Sequence, residues 1–85
     1  MAKYKIEFRK SVTKELRILP QQDQIRILQK IAELADDPRP PGCKKLSGQE
    51  RYRLRQGDYR ILYEIQDDRL IITIVRVRHR RDVYD

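Results

Sequence analysis

Residues 51–80 read RYRLRQGDYRILYEIQDDRLIITIVRVRHR, and this stretch decides the fold. Its apolar and polar side chains alternate, which is typical of β-strands whose two faces meet different surroundings. Gly57 and the pair Asp67-Asp68 interrupt the alternation, and such residues favour chain reversal. The pattern predicts strands at residues 51–56, 59–66 and 70–78. Because short turns join neighbouring antiparallel strands, we expect these three to form an antiparallel meander.

The sequence before this stretch predicts one more strand and two helices. Residues 4–9 alternate as a half-buried strand does. Apolar residues at helical spacing then predict helices at 11–19 and 20–35, with Pro20 at the start of the second. The second helix should bury a stripe of Ile25, Leu28, Ile31, Ala32 and Ala35, widened by Ile27 and Leu34. Three prolines within residues 36–42 predict a connecting loop.

These elements indicate a single α+β domain over residues 1–85. We expect an N-terminal strand and a helix hairpin packed on a small antiparallel sheet with a three-strand C-terminal meander. The run Leu70-Ile71-Ile72-Thr73-Ile74-Val75 is apolar on both sides, which suits a central strand. With 85 residues, the chain has no room for a second core.

The composition limits the functional classes. No apolar run approaches the roughly 20 residues that span a bilayer, so we expect a cytoplasmic protein without a membrane partner. The single cysteine, Cys43, and the single histidine, His79, do not supply an internal disulfide or a structural zinc site. We therefore expect no metal and no cofactor. A net charge of +7 indicates a polyanionic or acidic partner.

The arginines are concentrated on the predicted sheet. Arg51, Arg53 and Arg55 share one face of their strand, and Arg60 follows the first turn. On the last strand, Arg76, Arg78 and Arg80 are two residues apart and so should also share one face. Such a face can be a solvated surface with ion pairs to Glu64, Asp67 or Asp68. Crowded like charges are nevertheless destabilising in a sheet. Guanidinium groups bind phosphate and stack on bases, which favours single-stranded RNA as the ligand.

Two further side chains could carry chemistry. His79 stands between Arg78 and Arg80, where cationic neighbours favour the neutral imidazole that can accept a proton. It could equally be an exposed residue that caps the strand. Tyr84 could act in the reaction or serve as a packing anchor. A thiol nucleophile at Cys43 and a metal site among the turn carboxylates have little support, because neither has partners nearby in the sequence.

Three segments in this order carry a family resemblance: Lys45-Leu46-Ser47-Gly48, Tyr52-Arg53-Leu54-Arg55-Gln56-Gly57-Asp58-Tyr59-Arg60, and Val77-Arg78-His79-Arg80-Arg81-Asp82-Val83-Tyr84. Together with the order of elements, they resemble the RelE branch of the RelE/ParE toxin superfamily over nearly the whole chain. The resemblance implies ribosome-dependent cleavage of mRNA, in which a ribose 2′-hydroxyl attacks the adjacent phosphate without a metal. It also implies a cognate antitoxin as partner, beside the ribosome and mRNA.

The resemblance further implies roles for single residues. Arg60 and Arg80 match positions that hold the scissile phosphate, and Tyr84 matches a terminal tyrosine that stacks or exchanges protons. Arg53 and Arg55 lie in the family's basic strand, and Lys44, Lys45, Arg51 and Arg78 are expected to contact RNA. Some relatives have lysines where this chain has Arg51 and Arg53. Arginine keeps its proton in proteins, so the general base must be His79, Tyr84 or a ribosomal group.

Two other functions stay open on the same sequence. A ParE-like toxin would inhibit DNA gyrase with this fold and would not need to cleave RNA. A non-catalytic nucleic-acid-binding module would use the basic face only for docking. The segment from His79 to Tyr84 favours the ribonuclease, since the tyrosine has a role in RNA cleavage.

Overall fold

The computed structural model describes residues 3–46 and 50–82. Strand β1 spans Lys5–Phe8, helix α1 Lys10–Arg17 and helix α2 Gln21–Leu34. Strand β2 spans Lys44–Lys45, β3 Arg51–Gln56, β4 Tyr59–Gln66 and β5 Ile71–His79, and a 3-10 turn covers Arg80–Asp82. The bounds of β3 and β4 confirm the predicted strands. The last strand begins and ends one residue later than predicted. Arg80, which was grouped with Arg76 and Arg78 on that strand, lies in the 3-10 turn that follows it.

The strands form one five-stranded sheet in the order β1-β5-β4-β3-β2. The pairs β3–β4 and β4–β5 are antiparallel, which confirms the predicted meander. β1 pairs with β5 in parallel, so the sheet predicted to be antiparallel is mixed. This direction follows because α1 and α2 together return the chain to the starting end of β5. The edge strand β2 was not predicted, since two lysines carry no alternating pattern.

A β-bulge in β5 changes which side chains face the helices. Leu62 pairs with Arg76 and Tyr63 pairs with Ile74, so Val75 is an extra residue between them. Alternation therefore shifts by one residue at this point. As a result Ile74 and Val77 both lie in the core, while Arg76 is exposed.

The two helices cover one face of the sheet, as predicted. Buried side chains from both helices pack on the inner face of the meander, and the core cluster comprises Val12, Ile27, Ile31, Leu34, Tyr52, Leu54, Ile61, Tyr63, Ile65, Ile72, Ile74 and Val77. The predicted stripe on α2 was wrong for Ile25, Leu28 and Ala32, which are exposed, and right for Ile31 and Ala35. Apolar residues occupy about half of the circumference of α2, so spacing alone did not decide which side meets the sheet.

Among the described residues, the opposite face of the sheet bears six arginines: Arg51, Arg53, Arg55, Arg60, Arg76 and Arg78. No helix within the described ranges is both long enough and apolar enough to cross a membrane.

Candidate nucleic-acid interface

On the face of the sheet away from the helices, strand pairing places cationic side chains side by side in rows that cross the strands. Arg55 pairs with Arg60, which pairs in turn with Arg78. The next row joins Lys44, Arg53, Leu62 and Arg76 across four strands. We call these residues the basic face: Lys44, Arg53, Arg55, Arg60, Arg76 and Arg78. Neighbouring like charges destabilise a sheet. The arginines of this face are therefore candidates for binding an anion.

A third row is neutralised by a carboxylate. Arg51 donates a 2.8 Å hydrogen bond from NH2 to Glu64 Oε2, and both side chains are 30% exposed. Arg9 lies 3.6 Å from the other oxygen of Glu64. Arg51, a predicted RNA-binding residue, is therefore held in an ion pair of the kind that the sequence left open as an alternative.

Arg78 is also held by an acid, at the edge of the sheet. β1 ends opposite Ile74, which leaves the later part of β5 without a strand partner on that side. Glu15 of α1 covers this edge by accepting hydrogen bonds from the backbone N–H of Val77 at 3.0 Å and from Nε of Arg78 at 3.2 Å. The side chain of Arg78 is thus drawn toward α1.

A cleft of about 400 Å³ lies where the basic face meets the 3-10 turn. This arginine cleft is lined by Arg55, Gly57, Asp58, Tyr59, Arg60, Arg80 and Arg81. Gly57 has a φ of +60°, which the tight β3–β4 turn needs and which other residues adopt at a cost. The backbone N–H of Arg80 donates to the carbonyl oxygen of Asp58 at 2.7 Å and so holds the 3-10 turn against the β3–β4 turn.

The charge of the arginine cleft is strongly positive. Among the described residues that line it, four are arginines and one, Asp58, is a carboxylate. Asp58 Oδ1 lies 3.7 Å from Arg80 Nε, and both side chains are largely exposed, so this ion pair is weak. Converging guanidinium groups bind phosphate and stabilise negative charge that develops during a reaction. The cleft can therefore accept a phosphate group.

His79 does not lie with Arg60 and Arg80. Its ring faces the helix layer and contacts the ring of Tyr59, with centroids 5.3 Å apart and an interplanar angle of 85°. The Tyr59 hydroxyl donates to Asp23 Oδ2 at 3.0 Å. His79 borders a cleft of about 270 Å³ formed with α2 on this side of the sheet. The structure thus separates the predicted base from the arginines that would hold the phosphate.

The remaining predicted residues do not all lie on the basic face. Lys44 pairs with Arg53 on the basic face, whereas Lys45 pairs with Tyr52, which is buried on the helix side. A 3.1 Å hydrogen bond to Glu50 raises the pKa of Lys45. Tyr84 lies outside the described residues. Sequence reasoning missed the roles of Arg81, Asp58 and Glu15, and the only signal for Arg81 was its place beside Arg80.

The far end of the sheet holds a different arginine. Arg39 donates from NH2 and NH1 to both oxygens of Asp67, at 2.8 and 3.3 Å, and from Nε to the hydroxyl of Tyr52 at 3.1 Å. Tyr4 donates to Asp67 Oδ1 at 2.7 Å. We call these four residues the loop clamp: Tyr4, Arg39, Tyr52 and Asp67. The clamp ties the loop after α2 to the sheet, and its hydrogen bonds to Asp67 lower the pKa of that carboxyl.

Comparisons with known proteins agree on one family. A family model described as the ParE toxin of type II toxin-antitoxin system, parDE, matches residues 6–84. A RelE-like toxin protein of Escherichia coli is 32% identical over 87 residues, which cover 98% of this chain and 92% of that protein. The toxin RelG of Mycobacterium tuberculosis is 33% identical over 89 residues, with 95% of each chain covered.

Solved structures give the same result. The archaeal RelE–RelB complex from Pyrococcus horikoshii contains a chain that matches with a TM-score of 0.85 and 30% identity, over 98% of this chain and 100% of that chain. Its two helices and five-stranded mixed sheet are those described above. Sequence, fold and family model therefore place the chain in the RelE/ParE superfamily, as a RelE-type toxin of a type II toxin–antitoxin system.

Proposed function

We propose that this toxin is a ribosome-dependent endoribonuclease that cleaves mRNA and so arrests translation in the cytoplasm. The observation that carries the proposal is the arginine cleft, which is lined by four arginines and has room for a phosphate. The basic face continues from this cleft along the sheet, which gives a strand of RNA a path on either side of the reacting phosphate. The RelE-type relatives support the same reading.

The chemistry that such a cleft favours is transfer within the RNA strand. The ribose 2′-oxygen forms a bond to the adjacent phosphorus while the bond from phosphorus to the 5′-oxygen breaks. The products are a 2′,3′-cyclic phosphate and a 5′-hydroxyl. Arg60 and Arg80 would hold the phosphate and stabilise its added negative charge. Each such fixed group typically contributes about 10²- to 10³-fold to the rate.

The proton of the 2′-hydroxyl needs an acceptor, and arginine cannot serve. Tyr84 is our candidate from the chain, since neighbouring arginines favour the tyrosinate. A ribosomal group is the second candidate. His79 was the third, but its ring contacts Tyr59 on the helix side of the sheet.

The basic face would bind the RNA backbone on both sides of the cut, through Lys44, Arg53 and Arg55. Arg51, Arg78 and Lys45 form ion pairs with Glu64, Glu15 and Glu50, so RNA phosphates would compete with these carboxylates. RNA binding should therefore weaken steeply as salt is added.

A cognate antitoxin would control this activity. The solved relatives include complexes of RelE with RelB. We propose that an antitoxin segment with acidic residues covers the basic face and the arginine cleft of this chain. With a toxin charge of +7, association should be fast and sensitive to salt.

The test is a purified translation assay with one defined mRNA, with the ends mapped by primer extension. Wild type should cut only with ribosomes present, and Arg60→Ala should reduce cutting by about 10²- to 10³-fold. Arg17→Ala is the matched control, because it removes the same charge from an exposed position of α1. Tyr84→Phe then measures the role of the tyrosine. Intact mRNA with all proteins folded would refute the proposal.

A second function is tested in parallel, because the matching family model is named for a ParE toxin. In this case the chain would inhibit DNA gyrase and leave mRNA intact. A gyrase supercoiling assay on the same preparations distinguishes the two. Inhibition of gyrase without RNA cuts would establish the ParE-like function, and neither effect would leave a non-catalytic nucleic-acid-binding module.

A further inference from the structure

His79 stands at the junction between β5 and the 3-10 turn that carries Arg80. The first N–H groups of any helical turn lack partners within it, and a side chain just before the turn often accepts from one of them. Here the N–H of Arg81 donates to Nδ1 of His79 at 3.3 Å. The N–H of Arg80 donates to the carbonyl of Asp58 at 2.7 Å. His79 therefore caps the turn, and the β3–β4 turn supplies the other acceptor.

The helix layer fixes the orientation of the capping ring. Tyr59 pairs with His79 across the strands, and the edge-to-face contact of their rings limits rotation of the imidazole. The Tyr59 hydroxyl is itself held by Asp23 in the first turn of α2. Burial, together with this hydrogen bond, raises the pKa of Tyr59, so the hydroxyl keeps its proton and remains a donor. A chain of contacts thus runs from α2 to the turn that bears Arg80.

We propose that His79 is a positioning residue, which sets the guanidinium of Arg80 in the arginine cleft by capping the 3-10 turn from the opposite side of the sheet. This inference rests on the proposed function for its activity readout. It gives the histidine a task that does not require contact with RNA. It also agrees with the contact of the His79 ring with Tyr59, and with its place in the lining of the cleft beside α2 rather than of the arginine cleft.

The cap requires one form of the imidazole. Nδ1 can accept from Arg81 only when it carries no proton, so the neutral ring holds its proton on Nε2. A protonated ring would set an N–H against the N–H of Arg81, and the cap would open. The titratable and charged groups that face the ring from the surrounding elements are Glu15, Asp23, Arg26, Asp58, Tyr59 and Arg78. All of them are present in each variant below, so their own effects cancel in a comparison between variants.

The experiment compares His79→Asn with His79→Ala in the translation assay. Asparagine is among the best capping residues, and alanine is among the poorest. We expect His79→Asn to keep most of the activity, and His79→Ala to lower kcat by about 10- to 10²-fold with little change in KM, since small misplacements of a catalytic group have effects of this size. Equal losses in both variants would overturn the proposal, because a residue that acts as a cap should be replaceable by asparagine.

Two controls sharpen this comparison. Thermal unfolding of both variants shows whether a loss of activity is a loss of folding, and His79→Asn keeps the test valid if His79→Ala is unstable. In an Arg80→Ala background, His79→Ala should cause no further loss, because the cap acts through Arg80. A full additional loss in that background would contradict the positioning role.

The pH profile is a readout that general destabilisation would not produce. The ratio of wild-type to His79→Asn activity should fall once the pH is low enough to protonate the imidazole, because the protonated ring cannot accept from the N–H of Arg81. A constant ratio would count against the proposal.

A measurement independent of cleavage separates this inference from the proposed function. The chain has one histidine, so the ¹⁵N signals of its ring are assigned without ambiguity. We expect the tautomer with the proton on Nε2, and faster hydrogen exchange of the Arg81 amide in His79→Ala but not in His79→Asn. This result in a chain that fails to cut RNA would refute the ribonuclease while leaving the cap in place. A proton on Nδ1 would refute the cap whether or not the chain cuts.

Discussion

The two ends of the sheet use arginine in different ways. At the far end, Arg39 meets both oxygens of Asp67 and the hydroxyl of Tyr52, so its hydrogen-bonding groups are matched by acceptors from the chain. In the arginine cleft, the described lining includes four arginines and the exposed carboxylate of Asp58. The two regions thus differ in how closely the chain's own carboxylates contact the arginines. Arg39 is tied to the fold by acceptors of the chain itself, whereas the proposed function assigns the arginines of the cleft to an anion from outside the chain.

The first prediction, with the largest effect of the three that compare the two ends of the sheet, comes from adding an acid to the basic face. Leu62 pairs with Arg53 on one side and with Arg76 on the other, as Glu64 pairs with Arg51 in the next row. Leu62→Glu should lower mRNA cleavage by about 10²-fold, because like-charge contact with phosphate costs several kcal/mol. It should also raise stability relative to Leu62→Gln by tenths of a kcal/mol, through relief of crowded positive charge.

The control Leu62→Gln has nearly the same shape without the charge, so it removes the contribution of the lost apolar contact. Cleavage rates and urea unfolding of the two variants, side by side, check both halves of the prediction. Equal cleavage by the two variants would show that this part of the face does not bind RNA.

The second prediction concerns the far end and should leave cleavage unchanged. Tyr63 is fully buried, and its hydroxyl donates to the carbonyl of Pro38 at 2.9 Å. Tyr63→Phe removes this hydrogen bond and should lower the free energy of unfolding by about 1 kcal/mol. Urea denaturation measures the loss, and the translation assay below the unfolding transition should give the wild-type rate. A fall in cleavage would mean that the two ends are coupled.

The third and smallest effect is a pH dependence of stability from the loop clamp. Hydrogen bonds from Arg39 and Tyr4 hold the pKa of Asp67 below its ordinary value of 3.8. A carboxyl with a lowered pKa in the folded state adds stability above that ordinary value and loses it as the pH falls through the folded-state pKa. Wild type should therefore melt above Asp67→Asn at neutral pH, and the difference in Tm should vanish on strong acidification. An unchanged difference down to pH 2 would contradict this account.

Much of the fold could be predicted from sequence because the meander has strong local signals. Alternation gave the bounds of β3 and β4, and Gly57 marked the turn between them. The sequence did not give the direction of β1, which depends on how far two helices carry the chain. Nor did it give the buried side of α2, where Ile25 and Ile27 fit different stripes equally well.

The residue types of the site could be predicted, but not which face of the sheet each side chain lies on. The motif pointed to Arg60 and Arg80, and both line the arginine cleft. Arg76 and Arg78 share a face as predicted, whereas Arg80 leaves the alternation because the 3-10 turn begins there. Pairing with distant acids was also hidden, since Glu15 lies 63 positions from Arg78. Such contacts arise only once the chain is folded.

The parallel pairing of β1 with β5 has a consequence for the newly made chain. β1 lies at the edge of the sheet, and among the described strands its neighbour is β5, which follows the others along the chain. Contacts between residues so far apart in sequence form slowly in folding, because a long loop of chain must close first. β1 therefore cannot pair until β5 has been made, and the arginine cleft is complete only once Arg80 and Arg81 have followed. A chain truncated before β5 would consequently lack both the partner of β1 and the 3-10 turn that completes the cleft.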